Sequence, residues 1–140
     1  NAREQMQKMF DGVADGAPAE PVQLPVKGRF IDIPKAAREA AWFSFADICE
    51  SNRSAVDFLE LVKHYRLFVV EGVPKLDDRR RDVMTRFVTL IDTLYDHRAR
   101  LIMSAAASPD KLYTGDDPAV FARTASRLIE MQSKEYAETA

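Results

Sequence analysis

Three places in this chain of 140 residues bring together side chains able to do chemistry. Glu71 stands in Val69-Val70-Glu71-Gly72-Val73-Pro74, at the end of an apolar run rich in β-branched residues. Open α/β sheets bind their ligands at the carboxyl ends of the strands. A carboxylate there is a ligand contact, a group used by a small independent enzyme, or a side chain that caps or pairs locally. Arg123 and Arg127 lie four apart beside Thr124 and Ser126, with Glu130 three further on, so the three charges are neighbours on one helical face. They are solvated or paired with an acid such as Glu130, or they offer a fixed fork of donors to phosphate oxygens. Arg79-Arg80-Arg81 follows Asp77-Asp78 at the start of a long helical pattern, where the helix dipole disfavours cations. That run is a solvated face, or a contact to an acidic partner or a phosphate.

Other chemistries find no support. The five glycines, at 12, 16, 28, 72 and 115, form neither G-x-x-x-x-G-K-[ST] nor G-x-G-x-x-G, so these residues hold no phosphate cradle. A G-x-S-x-G elbow is also missing. His64 and His97 each stand near the end of a helical pattern, away from any cysteine or carboxylate at ligand spacing, which argues against zinc. His97 suits a helix-dipole partner better than a base. Cys49, beside a bulky apolar run, suits a small buried hydrophobe better than a nucleophile.

The elements that must position these groups can be read from periodicity. Leu67–Val70 predicts a strand, the spacing of Val83, Phe87, Leu90, Ile91 and Leu94 a long helix, and Leu101–Met103 a second strand. Strand, helix, strand is a right-handed βαβ unit with parallel strands. Lys27–Ile33 reads as a strand ended by Pro34, and Trp42–Phe45 as a strand antiparallel to it. The PKAAREAA segment between them reads as a loop in preference to a helical turn. Ala46–Cys49 suggests a helical turn. Ser54 and Asp57 suggest a capping box for a helix over Ala55–Tyr65, with Phe58, Leu59, Val62 and Tyr65 buried. Asp77 or Asp78 can cap the long helix. Ser108-Pro109 opens a short turn through Tyr113, and Asp117-Pro118 opens a last helix reaching Tyr136. Phe121, Ala125, Leu128 and Ile129 give that helix its apolar face, continuing to Gln132 and Tyr136. The fold class is α/β, a mixed sheet containing the βαβ unit, flanked by helices.

At the N-terminus, Arg3–Phe10 suits a short helix, and Asp11–Pro25, rich in Gly, Pro and Ala, suits a flexible connector. Asn1-Ala2 reads as the remnant of a cleaved tag, which would make the chain a piece of a longer protein. Residues 1–26 are then a helix and connector, and residues 27–140 one α/β domain. With 46% hydrophobic and 30% charged residues and a formal net charge of −2, the composition suits a globular domain and not a nucleic-acid surface. A single cysteine excludes an internal disulfide framework, and no apolar run reaches membrane-spanning length.

GRFIDIP, FSFADICE, AVDFL, VEGVP, RFVTLIDTLYD, SAAASPDKLY and RTASRLIEMQSKEY occur in that order across Lys27–Tyr136. Together they resemble the C-terminal part of the ZapE/AFG-type P-loop ATPases. Arg86–Asp96 and Arg123–Tyr136 are the most specific pieces. Such proteins are similar to AAA+ ATPases and act at bacterial division or at the mitochondrial inner membrane, with a proposed role in protein quality control. The resemblance implies a parent that binds ATP and Mg through Walker A and Walker B motifs lying upstream. The present chain would then bind neither and be inactive alone. It would pack on the upstream ATPase core and couple hydrolysis to action on a division or membrane-associated protein, in the cytoplasm or at the inner-membrane periphery. By analogy with AAA+ proteins, Arg123 or Arg127 would sense the γ-phosphate. Two positions depart from the family pattern: Glu71 replaces an aspartate, and Phe121-Ala122 replaces a phenylalanine-acid pair. The alternative is a non-catalytic interaction domain that docks a partner protein, its Arg123/Arg127 face turned to open surface.

Overall fold

The computed structural model describes residues 2–132, for Ala2 the backbone alone. Five strands follow one another across a single mixed sheet in chain order: β1 (Glu20–Val26), β2 (Arg29–Ala37), β3 (Ala40–Ser44), β4 (Leu67–Val73) and β5 (Arg100–Ala105). β1, β2 and β3 pair antiparallel, and β3, β4 and β5 pair parallel. The helices are α1 (Ala2–Ala14), α2 (Ala55–His64), α3 (Arg81–Asp96), α4 (Pro109–Leu112) and α5 (Ala119–Met131). The fold class expected from the sequence is the one observed.

Alternation along the central strands divides the apolar residues into two cores. Ala41, Phe43, Phe68 and Val70 face one side, where they pack with Phe58 and Leu61 of α2, Phe87, Leu90 and Leu94 of α3, and Phe121 and Leu128 of α5. Ala40, Trp42, Leu67 and Val69 face the other side and meet Met6, Phe10 and Ala14 of α1. Leu67 through Val70 are fully buried, as a parallel strand covered on both faces requires. That burial explains the unbroken apolar run in the sequence.

Several local expectations are corrected. The connector over 11–25 is partly structure: α1 reaches Ala14, and Glu20–Val26 is β1, whose Leu24 and Val26 are buried. The abundance of proline there masked a strand, because Pro21 and Pro25 are tolerated at a sheet edge. Pro34 does not end β2. It lies where the β1–β2 register shifts between the Glu20↔Ala36 and Val22↔Ile33 pairs, a place that can spare an N–H. Within PKAAREAA, only Arg38 and Glu39 turn, Arg38 taking a left-handed φ of 51°. α2 has the expected capping box, with Ser54 N–H donating to the Asp57 carboxylate at 2.8 Å. It buries Leu61, however, and exposes Leu59. On α5 the buried positions are Phe121, Thr124, Leu128 and Met131, while Ile129 is exposed. The expected continuation to Tyr136 lies outside the described residues.

Phe87 joins the layers. It is fully buried, stacks on Phe121 at 6.2 Å between ring centroids, and meets Phe45 at 5.8 Å. Phe87→Ala should destabilise the chain by about 3–5 kcal/mol, read as a lowered urea midpoint with little change in slope.

Candidate functional site: strand ends and the α3–α5 clamp

Residues 67, 69 and 71 share one face of β4, so Glu71 projects toward α1 and not straight off the strand end. Its carboxylate accepts the Trp42 indole N–H at 2.6 Å and a second hydrogen bond from Arg3. Both partners belong to the α1 layer. The Lys35 ammonium covers the other part of that site, 4.1 Å from the Trp42 ring centroid. Gly72 has a φ of 77° where the β4–β5 register shifts between Val70 and Val73, a conformation that favours glycine. Its N–H donates to Ser104 Oγ at 2.8 Å.

α5 is held to α3 by charge. Arg127 donates to the Asp92 carboxylate at 2.5 Å, reaches Asp96 at 4.0 Å, and lies over the Tyr95 ring at 4.6 Å. The Glu130 carboxylate accepts from the Tyr95 hydroxyl and so pushes that phenol up from its usual pKa. Arg127 is mostly covered. Arg123, one turn earlier, is exposed and has no hydrogen-bond or ion-pair partner among the described residues. Sequence spacing joined Arg127 to Glu130. The acids that hold it stand on α3, and no local pattern signals them.

A third cluster closes the loop after β4. Leu76 and Tyr113 form an isolated parallel bridge, and the Tyr113 hydroxyl donates to Asp78 at 2.6 Å. Asp78 also accepts the Asp116 N–H at 3.0 Å. That backbone donor first, then Tyr113, holds the Asp78 carboxyl below its ordinary value. A Cβ at Gly115 would stand 2.1 Å from the Tyr113 hydroxyl oxygen, so any other residue there makes that side chain shift.

Asp77 caps a single 3-10 turn, Asp78–Arg80, that precedes α3. Arg79 and Arg80 therefore lie ahead of the long helix, and only Arg81 begins it. Arg79 pairs with Asp77 at 2.9 Å and Arg80 with Glu50 at 3.3 Å, the solvated and paired arrangement. Cys49 is fully buried, and burial pushes its thiol up to about 12, so it stays protonated at neutral pH. His97 lies at the C-terminus of α3 with Nδ1 2.9 Å from the Thr93 carbonyl, and His64 lies 3.0 Å from Glu60. No group of three or more His, Cys, Asp or Glu among the described residues could hold a metal ion.

The residues at the strand ends do not suit Mg–ATP. The Glu71 carboxylate is bound to an indole and a guanidinium, the Gly72 N–H to a hydroxyl, and no glycine-rich loop supplies converging backbone donors.

Comparison with known proteins then gives the context. The model of the AFG1-like ATPase family matches residues 1–140. The chain belongs to that family. It is 38% identical over 108 residues to an uncharacterized protein of Schizosaccharomyces pombe, covering 77% of this chain and 24% of that one. It is 30% identical over 149 residues to lactation elevated protein 1 homolog B of Danio rerio, covering 83% and 30%. Against cell division protein ZapE of Escherichia coli K12 it is 29% identical over 135 residues, covering 96% and 36%. The chain thus spans about a quarter to a third of the length of these relatives. No solved structure matches it.

In this family member, Arg127 acts on packing. Arg127→Ala should cost about 1–3 kcal/mol, since it leaves Asp92 without its charged donor in a partly covered site. Thermal unfolding should show the loss, and Asp92→Asn should reproduce part of it.

Proposed function

We propose that this chain is the C-terminal domain of a longer AFG1-like ATPase, whose upstream core holds the phosphate loop, the metal-binding acids, ATP and Mg. The domain couples ATP binding and hydrolysis in that core to action on a partner, in cell division or in protein quality control, and has no hydrolytic activity alone. One observation carries this reading: the family model spans every residue of a chain that lacks a phosphate cradle. The relative named a cell division protein favours the division role. This reading places the full-length protein in the cytoplasm, docked peripherally at the inner membrane through its partner. No helix among the described residues is long and apolar enough to cross a membrane.

The two arginines take different parts. Arg123, exposed and unpaired among the described residues, is the one free to meet a γ-phosphate held by the core, where a cation stabilises charge as the phosphoryl group transfers. Arg127 is a positioning residue that fixes α5 against α3. In the full-length protein, Arg123→Ala should lower steady-state ATP turnover by at least about tenfold while the thermal midpoint stays put. Arg127→Ala should lower the midpoint. Unchanged turnover in Arg123→Ala would remove the sensing role. It would favour the second reading, a non-catalytic domain whose exposed α5 face docks a partner protein.

A further inference from the structure

The two edges of the sheet are built differently. β1 carries Pro21 and Pro25, which block strand addition, and its residues pair only with β2. β5 has no proline, and its single charge, Arg100, stands at its first residue. Three apolar residues, Leu101-Ile102-Met103, follow, each half-buried, although the neighbouring β4 is fully buried from Leu67 to Val70. A parallel sheet is covered on its two faces, and an edge strand without such blocks presents unpaired N–H and C=O groups to which a further strand can add.

The direction of the β5 backbone can be read from its ladder. Arg100 N–H donates to the Arg66 carbonyl at 2.8 Å, and Ala106 N–H to the Val73 carbonyl at 2.9 Å. Successive strand residues alternate sides, so Ile102 and Ser104 also face β4, and the backbone groups of Leu101, Met103 and Ala105 face away from it. Among the described residues, no backbone partner stands on that outer side. Directly beside this edge, Leu101, Ile102, Met103, Leu128 and Met131 line a pocket of about 130 Å³. A row of free main-chain donors and acceptors next to an apolar pocket is the recognition pattern for an added strand, the backbone giving affinity and the pocket selecting a side chain.

We infer that the outer edge of β5 is completed by an extended strand from the nucleotide-binding core of the same polypeptide, one apolar side chain of that strand filling the pocket between β5 and α5. The inference rests on the reading that a core precedes this domain, and the relatives' lengths leave ample chain to supply the strand. Pairing there would set the core against the C-terminal part of α5, making the sheet continuous between the two parts of the protein.

Amide hydrogen exchange tests this residue by residue in the 140-residue chain and in the full-length protein. The Leu101 and Met103 amides should exchange freely in the chain alone and slow by at least about tenfold in the full-length protein. Ile102 and Ser104, bonded to β4, should be slow in both. Met103→Pro removes an outward N–H without touching the β4 ladder. In the full-length protein it should restore fast exchange at Leu101 and leave Ile102 slow. Fast exchange at Leu101 and Met103 in the full-length protein would overturn the inference. So would slow exchange already in the chain alone, which would mean that its own terminal residues or a second copy cover the edge. ATP turnover of the same full-length sample separates the two claims: protection without turnover keeps the strand pairing and discards the ATPase reading.

Discussion

The burial of β4 on both faces is the constraint from which the rest of the structure follows. A strand with Leu67 through Val70 fully buried has no polar face to show to water, so both sides of the sheet must be covered. α3 and α5 cover one side through Phe87 and Phe121, and α1 covers the other through Met6 and Phe10. Each cover is then fastened at its rim by a charge. Arg127 ties α5 to Asp92 of α3, and Glu71 ties β4 to Trp42 and to Arg3 of α1. The Arg3 contact is largely exposed and adds little by itself; the buried apolar area beneath it is what holds α1.

This fastening separates residues that looked equivalent. Two arginines four apart on one helix appear interchangeable as phosphate contacts. A pair of acids on a neighbouring helix makes one a clamp and leaves the other exposed. Similarly, the carboxylate at the end of a parallel strand is drawn sideways under a helix by strand alternation. Family membership joins this fold, with its exposed charge on α5, to the AFG1-like ATPases.

Legibility in the sequence followed the range of the interaction. Where neighbours along the chain decide the structure, as in the Ser54–Asp57 box, the β-branched run of β4 and the period of α3, the residues could be read directly. β1 was missed because its prolines mimic a linker, and only pairing with β2 reveals a strand. Leu59 and Ile129 were assigned to buried faces because periodicity marks an apolar stripe without saying where the sheet stops covering it. The acids that hold Arg127 and the Asp78 carboxylate that pins the Tyr113 hydroxyl beside Gly115 stand more than 30 residues away in the chain, and no local pattern carries them. The family resemblance was visible in ordered segments, and the different surroundings of the two arginines were not.

The most direct test of the account is a calorimetric titration of this chain with ATP and with ADP in the presence of Mg²⁺. A domain that leaves nucleotide binding to an upstream core should give no heat of binding. Micromolar binding would mean that these residues form a nucleotide site of their own, and the division of labour proposed here would be wrong.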